Sequence, residues 1–220
     1  MALDYYIVLY IDILGFSRMV KNDCENISDN KYFEKLKESF FFIKGKFGTD
    51  VEMKQFSDSI IVSIPLKPSR QEEFIKIIDI ARNIQIEMFK KEILSRGGMS
   101  FGKHFSENDF IFSDALINAY NLEKDHAKNP RIIISQDLLS LFEIENLLVS
   151  ERKIIKEDDG RYFVNYINLI NIDECNKVLN SIFPNGSEYD YSIAEKYRWL
   201  YEYASFYFGN DLEIKNDRFI

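Results

Sequence analysis

Apolar and polar positions along the chain switch between a strand period and a helix period, and the switches mark out the elements. Tyr5 to Ile11, YYIVLYI, is continuously apolar and rich in β-branched and aromatic residues, which reads as a buried strand. It ends on Asp12 and breaks at Gly15, so the strand delivers a carboxylate to its exit turn. Phe16 to Lys21 follows as a short helix, and the polar stretch 22–30 as a loop closing on a Ser28 or Asp29 cap. Phe33, Leu36, Phe40, Ile43 and Phe47 then recur at helical spacing until Gly48 stops them. Lys54 to Ile64, KQFSDSIIVSI, sets Asp58 in a turn between two β-type stretches and predicts a hairpin. Pro65 and Pro68 end it. Ser69 caps a long amphipathic helix from about Gln71 to Leu94, with Phe74, Ile77, Ile78, Ala81, Ile84, Ile86 and Phe89 on or near one face.

Arg96-Gly97-Gly98 opens a strand over Met99 to Phe105, and an acidic turn at Ser106 to Asp109 leads through Phe110-Ile111-Phe112 into a helix. That helix spans Ala115 to Lys128 and stops at Asn129-Pro130. Arg131 to Ser135 is a short apolar strand. Ile154 to Lys156 and Tyr162 to Ile167, separated by Asp158-Asp159-Gly160, predict a second hairpin. Ile172 to Phe183 and Tyr191 to Phe208 predict two further helices split by Pro184-Asn185-Gly186, and the tail from Gly209 is a loose end or a docked arm. This order predicts an α+β fold, an antiparallel sheet with helices packed on one face. Residues 1–170 form the first unit and 171–220 a C-terminal helical extension. The aromatic last helix, with Trp199, Tyr203, Phe206 and Tyr207, supplies either packing or a self-association surface.

Composition narrows the functions. With 46% hydrophobic and 29% charged residues over 220 positions, the chain can bury a sizeable core, which excludes disorder as the default. A net charge of −8 argues against a broad grip on DNA or RNA, whose affinity comes largely from phosphate neutralisation, but is compatible with a small phosphorylated ligand held by metals. Cys24 and Cys175 are far apart and lack metal-ligand spacing, so neither a zinc site nor a disulfide framework is indicated. No apolar run approaches the ~20 residues of a membrane span, and the opening residues lack a basic leader. The expected location is the cytoplasm.

Asp12 and Asp58 carry the candidate chemistry. Two carboxylates at strand ends, beside small residues that expose backbone, suit a pair of hard cations that must also hold a nucleoside triphosphate. The plainer reading makes both aspartates turn or cap residues. The segments IDILGFS, KQFSDSI, RGGMSFG, FSDALINAYNLE and AKNPRIIIS, in that order, resemble the class III nucleotidyl cyclases, and among them the bacterial pyrimidine cyclases of the Pycsar anti-phage system. The resemblance covers roughly Tyr5 to Ile167.

It implies a ferredoxin-like class III cyclase domain that works as a homodimer with shared active sites. Asp12 and Asp58 match the metal-binding aspartates, and Ile13 the residue whose carbonyl reaches the second ion. Two divalent cations, Mn²⁺ or Mg²⁺, are implied. Gly15, Phe16 and Ser17 match the turn that holds the triphosphate, a geometry that also suits anions on physical grounds. Lys54 occupies the place of a base-reading lysine, although a solvated strand lysine reads equally well; Phe56 shapes the base pocket or joins the core. If Leu122-Glu123 marks the family's helix end, the transition-state arginine position falls on Asn121, the ribose-orienting asparagine on Ile117 and the purine-reading aspartate on Phe110. These departures disfavour an ordinary adenylate cyclase, while Ala119-Tyr120-Asn121-Leu122-Glu123 has the Ala-Tyr-x-Leu-Glu form of the pyrimidine group; Ser113 replaces a frequent glycine there.

Arg96, Lys103, Arg131 and Arg161 are the candidates for the missing positive charge, and Arg96 is favoured slightly as the catalytic arginine because it matches the family's RGG, although a structural arginine tying the helix end to the sheet reads about as well. His104 is a candidate cleft residue and His126 a surface one. The activity implied is conversion of UTP, or less often CTP, into a cyclic monophosphate that an effector senses during phage infection. A catalytically silent nucleotide- or partner-binding module is the alternative, and a purine cyclase with a rearranged site a third.

Overall fold

A computed structural model describes residues 3–25, 30–46, 48, 50–67, 70–182, 190–209 and 212. The expected caps at Ser28, Asp29 and Ser69, the Phe47 core position, the Pro184-Asn185-Gly186 break and most of the tail lie outside the described residues. Seven strands form the main path of one sheet: β1 (Asp4–Ile13), β2 (Glu52–Phe56), β3 (Ser59–Pro65), β4 (Ser95–Glu107), β6 (Ile132–Ile134), β7 (Ile154–Lys156) and β8 (Tyr162–Val164). Their spatial order is β2-β3-β1-β4-β6-β8-β7, and β5 (Phe110–Ser113) joins as a hairpin arm on β4. The helices are α1 (Phe16–Glu25), α2 (Lys31–Gly45), α3 (Arg70–Lys90), α4 (Asp114–His126), α5 (Gln136–Phe142), α6 (Glu145–Ser150), α7 (Ile172–Ile182) and α8 (Tyr191–Phe208). The α+β class read from the sequence holds.

β1 is central and antiparallel to both β3 and β4. Ile7, Val8 and Leu9 are each fully buried, which explains a continuous apolar run where a half-exposed strand would alternate. On one face Ile7, Leu9 and Ile11 meet Phe74, Ile77, Ile78, Ala81 and Ile84 of α3, with Leu138 and Phe142 of α5 extending the same core. Two details depart from an antiparallel sheet covered on one side. β4 and β6 run parallel, so the chain must cross over between them, and α4 is the helix within that crossover. α4 lies on the opposite face from α3. There Gly98 lets it come close: a Cβ at this position would sit 2.2 Å from the Ala119 carbonyl oxygen. The side chains turned inward from α4 are Ala115, Ala119 and Glu123.

α7 and α8 share a second core with α3 and β8, built from Ile86, Phe89, Phe163, Tyr166, Cys175, Leu179, Leu200 and Tyr203. The Tyr203 hydroxyl accepts hydrogen bonds from the backbone N–H groups of Tyr166 (3.0 Å) and Ile167 (3.1 Å) and donates to Asn165 Oδ1 at 2.6 Å. Trp199 donates to Glu157 Oε1 at 2.6 Å, and its ring lies edge-on to Phe163. Packing therefore accounts for Trp199 and Tyr203, while Phe206 remains exposed. α5 and α6, of seven and six residues, carry no sequence expectation because they are too short to show a helical period.

Candidate functional site

The register of β1 determines which side chains share the α4 face. Asp12 stands opposite Ser59 on β3 and Arg96 on β4, and Tyr10 opposite Ile61 and Gly98. Paired residues in an antiparallel ladder project to the same side. Asp12, Tyr10, Ser59 and Arg96 therefore line one surface, with Phe56 and Lys54 continuing it onto β2.

Asp58 enters through the β2–β3 turn. Phe56 pairs with Ser59, leaving Ser57 and Asp58 as a two-residue loop, and Ser57 takes a left-handed φ of 55°. A non-glycine residue there costs on the order of 1 kcal/mol. The Ile13 N–H donates to the Asp58 carbonyl oxygen at 3.0 Å, so the exit of β1 and the acidic turn are tied directly together. Tyr10 reports the same convergence. Burial, foremost, and the carboxylates of Asp12, Glu123 and Asp58 push its phenol up, against a hydrogen bond with Ser59 at 2.8 Å that holds it down.

The β1–α1 turn lies just beyond. Gly15 adopts φ 77°, a conformation glycine supplies without strain, and its carbonyl accepts from the Arg18 and Met19 N–H groups. The first turn of α1 leaves the Phe16 and Ser17 N–H groups without intrahelical acceptors, and the positive end of the helix faces the same way. Phe16 packs its ring against the first core, whereas Gly15 and Ser17 are exposed.

Arg96 is the basic candidate that lies beside Asp12. Its Nε–H donates to Asp12 Oδ2 at 2.9 Å, while Glu123 Oε1 sits 2.8 Å from the same nitrogen. The N–H is directed at Asp12, so Glu123 keeps the ion pair but its Oε1 is left buried without a hydrogen bond. Burial, opposed by the Arg96 charge and reinforced by Asp12, Asp125 and Asp58, pushes the Glu123 carboxyl up to about 7. Lys103 reaches the Leu3 carbonyl. Arg131 is held by Glu157 and Asp159, and Arg161 lies against His126. His104 is sealed in the sheet, its Nδ1 2.8 Å from Ser113 Oγ, and desolvation lowers its pKa.

Lys54 is engaged. Its Nζ donates to Ser106 Oγ at 2.6 Å and to the Asn108 carbonyl at 2.5 Å, with Glu52 Oε1 at 3.2 Å, which ties β2 to the β4–β5 turn. Phe56 is 81% exposed, so it is not a core residue. Ile117, Tyr120, Phe110 and Phe112 are likewise exposed, and the Tyr120 ring stands edge-on to Tyr10 at 5.4 Å.

Among the described residues no group of three or more His, Cys, Asp or Glu gathers as a ready-made metal cage. The donor set nevertheless fits a hard cation of the Mg²⁺ type, which takes one or two carboxylates and completes its shell with water and substrate phosphates. Asp12 meets Arg96 through Oδ2 and retains part of its surface exposed.

Sequence reading did not single out Glu123, Tyr10 or Ser59 as site residues. For Glu123 a signal was present: Ala115, Ala119 and Glu123 fall at i, i+4 and i+8 on one helix face, which sets a carboxylate on a small-residue stripe that packs closely. No helix among the described residues is long and apolar enough to cross a membrane. The sequence matches no protein-family model and no curated protein. Among solved structures, it is similar to an adenylate/guanylate cyclase/hydrolase from Silicibacter pomeroyi at 17% identity, over 74% of this chain and 96% of that one, with a TM-score of 0.44.

Proposed function

We propose that the chain is a nucleotide cyclase that converts a nucleoside triphosphate, UTP in preference to CTP, into its 3′,5′-cyclic monophosphate and pyrophosphate. The observation that carries this reading is the convergence of Asp12 and Asp58 at one end of the sheet, joined through the Ile13 N–H to Asp58 carbonyl hydrogen bond. Asp12, Asp58 and the Ile13 carbonyl would hold two divalent cations, Mn²⁺ or Mg²⁺. When bound, these supply Lewis-acid activation of the ribose 3′-hydroxyl and neutralisation of the phosphates. The backbone N–H groups of Gly15, Phe16 and Ser17 bind the triphosphate. Arg96 adds positive charge at the same corner, and Lys54 and Phe56 line the path to the base. The exposed Phe56, Tyr120 and Ile117 favour a homodimer whose partner closes each site. The resemblance adds the biological setting: a cytoplasmic enzyme whose cyclic product alerts an effector in anti-phage defence.

Incubation of the purified chain with each of the four NTPs and Mn²⁺ tests the proposal. Cyclic UMP with stoichiometric pyrophosphate is the expected result, and pyrophosphate at background with every NTP contradicts it. The Arg96 guanidinium, committed to Asp12 and Glu123, favours a second reading as a silent nucleotide-binding module. Saturable UTP binding without turnover would select that reading.

A further inference from the structure

Beside Arg96 lies a cavity of about 920 Å³, between α1, the start of α2, the α3–β4 connection and the C-terminal helices. That volume falls within the range of small-molecule sites. Its charge is opposite to that of the protein. Arg18, Lys21, Lys31, Arg96 and Lys196 line it against two acids, Glu25 and Glu92, in a chain of net charge −8.

One of those acids is already neutralised. The Glu92 carboxylate accepts from Lys35 Nζ at 2.5 Å and from Ser181 Oγ at 2.6 Å. Glu25 pairs with Lys21 at only 3.8 Å. Arg18 has no side-chain partner among the described residues; Lys196 donates to the Ser192 carbonyl of its own helix at 3.0 Å, and its charge also acts on the nearby Asp190 carboxylate. With five cations against two acids, the charges facing the cavity are only partly compensated, so a bound polyanion is favoured there. The cavity reaches Leu14 and Gly15 of the β1–α1 turn and Arg96, and so connects with the corner that carries Asp12.

We propose that this cavity is a polyphosphate site in which the C-terminal helices form the second wall. Arg18 of α1 and Lys196 of α8 bind the terminal phosphates of the nucleotide and the pyrophosphate it releases. The identity of the donor nucleotide rests on the cyclase reading; the affinity for pyrophosphate does not. α7 and α8 thereby take part in ligand binding as well as completing the fold.

Calorimetric titration of the full chain with inorganic pyrophosphate, free of divalent cations, tests this. Wild type should give a saturable one-site isotherm, and Arg18→Glu and Lys196→Glu should each weaken it about tenfold or more, as loss of a charge-assisted phosphate contact does. Lys156→Glu, outside the cavity, controls for bulk charge and should leave the isotherm unchanged. Unaltered thermal melts would show that the variants fold. The proposal is overturned if wild type gives no saturable heat, or if Lys196→Glu behaves like Lys156→Glu. Should UTP cyclise while pyrophosphate binding ignores Lys196, this inference alone fails. Should no NTP cyclise while the Lys196 effect persists, the cyclase reading fails and the site remains.

Discussion

The two faces of the sheet differ in kind. Toward α3 and α5 the strands present Ile7, Leu9, Ile11, Ile60, Val62 and Ile64 to a dry core. Toward α4 the sheet presents Tyr10, Asp12, Ser59, Lys54 and Arg96, and the β2 end of that face is open enough to leave Phe56 at 81% exposure. A strand has one backbone and two surfaces, so alternate residues can serve stability and chemistry separately. The polar face tolerates two neighbouring carboxylates and a buried glutamate because the apolar face supplies the folding energy.

The sharpest test of this division removes a carboxylate from the polar face. Asp58→Ala should lower cyclisation about 10³-fold or more, measured as cyclic nucleotide formed, while shifting the denaturation midpoint little. Equal loss of stability and activity would merge the two faces into one. On the other side, Phe74 is fully buried and stacked on Phe142 at 4.6 Å. Phe74→Ala should cost about 3–5 kcal/mol in chemical denaturation.

Next in size is the pH response of Glu123. Its folded pKa of about 7 lies above the ordinary 4.5, so between these values the native state keeps a proton that the unfolded chain releases. Stability from this group is fully present below pH 4.5 and is lost as pH rises through 7, by roughly 3 kcal/mol. Glu123→Gln cannot titrate. The difference in unfolding free energy between wild type and this variant, followed from pH 4.5 to 8, should move in that direction without added metal; a flat difference would mean the carboxyl is not desolvated. The smallest effect is expected for Phe56→Ala, under about 0.5 kcal/mol in stability, with weaker self-association in sedimentation as its signature. A loss comparable to that of Phe74→Ala would place Phe56 in a core.

Features encoded locally were legible in the sequence. The run ending at Asp12, the hairpin around Asp58, the long α3 and the aromatic α8 each carry their period or turn chemistry within a dozen or so residues. The α4 periodicity marks an apolar stripe but not the side of the sheet on which it lands; that depends on the parallel β4–β6 pairing, between residues such as Gly98 and Ile133. Short-range pattern also leaves out Glu123, whose role arises from Arg96 on a different element. Lys54 illustrates the converse. Its position suggested a base contact, and short-range pattern gave no sign of the partners it also has, Ser106 and Asn108, from a hairpin more than fifty residues downstream.

The bonds made by the Tyr203 hydroxyl have a further consequence. Because that one oxygen anchors α8 to the segment after β8, loss of the wall bearing Lys196 leaves the Tyr166 and Ile167 N–H groups without these partners, which couples its unfolding to that of the sheet. Denaturant should release both in a single step, with the buried Cys175 thiol becoming reactive toward alkylating agents at the same concentration that dissolves the strands. Built this way, α8 is tied by packing and hydrogen bonds to the sheet that β1 centres.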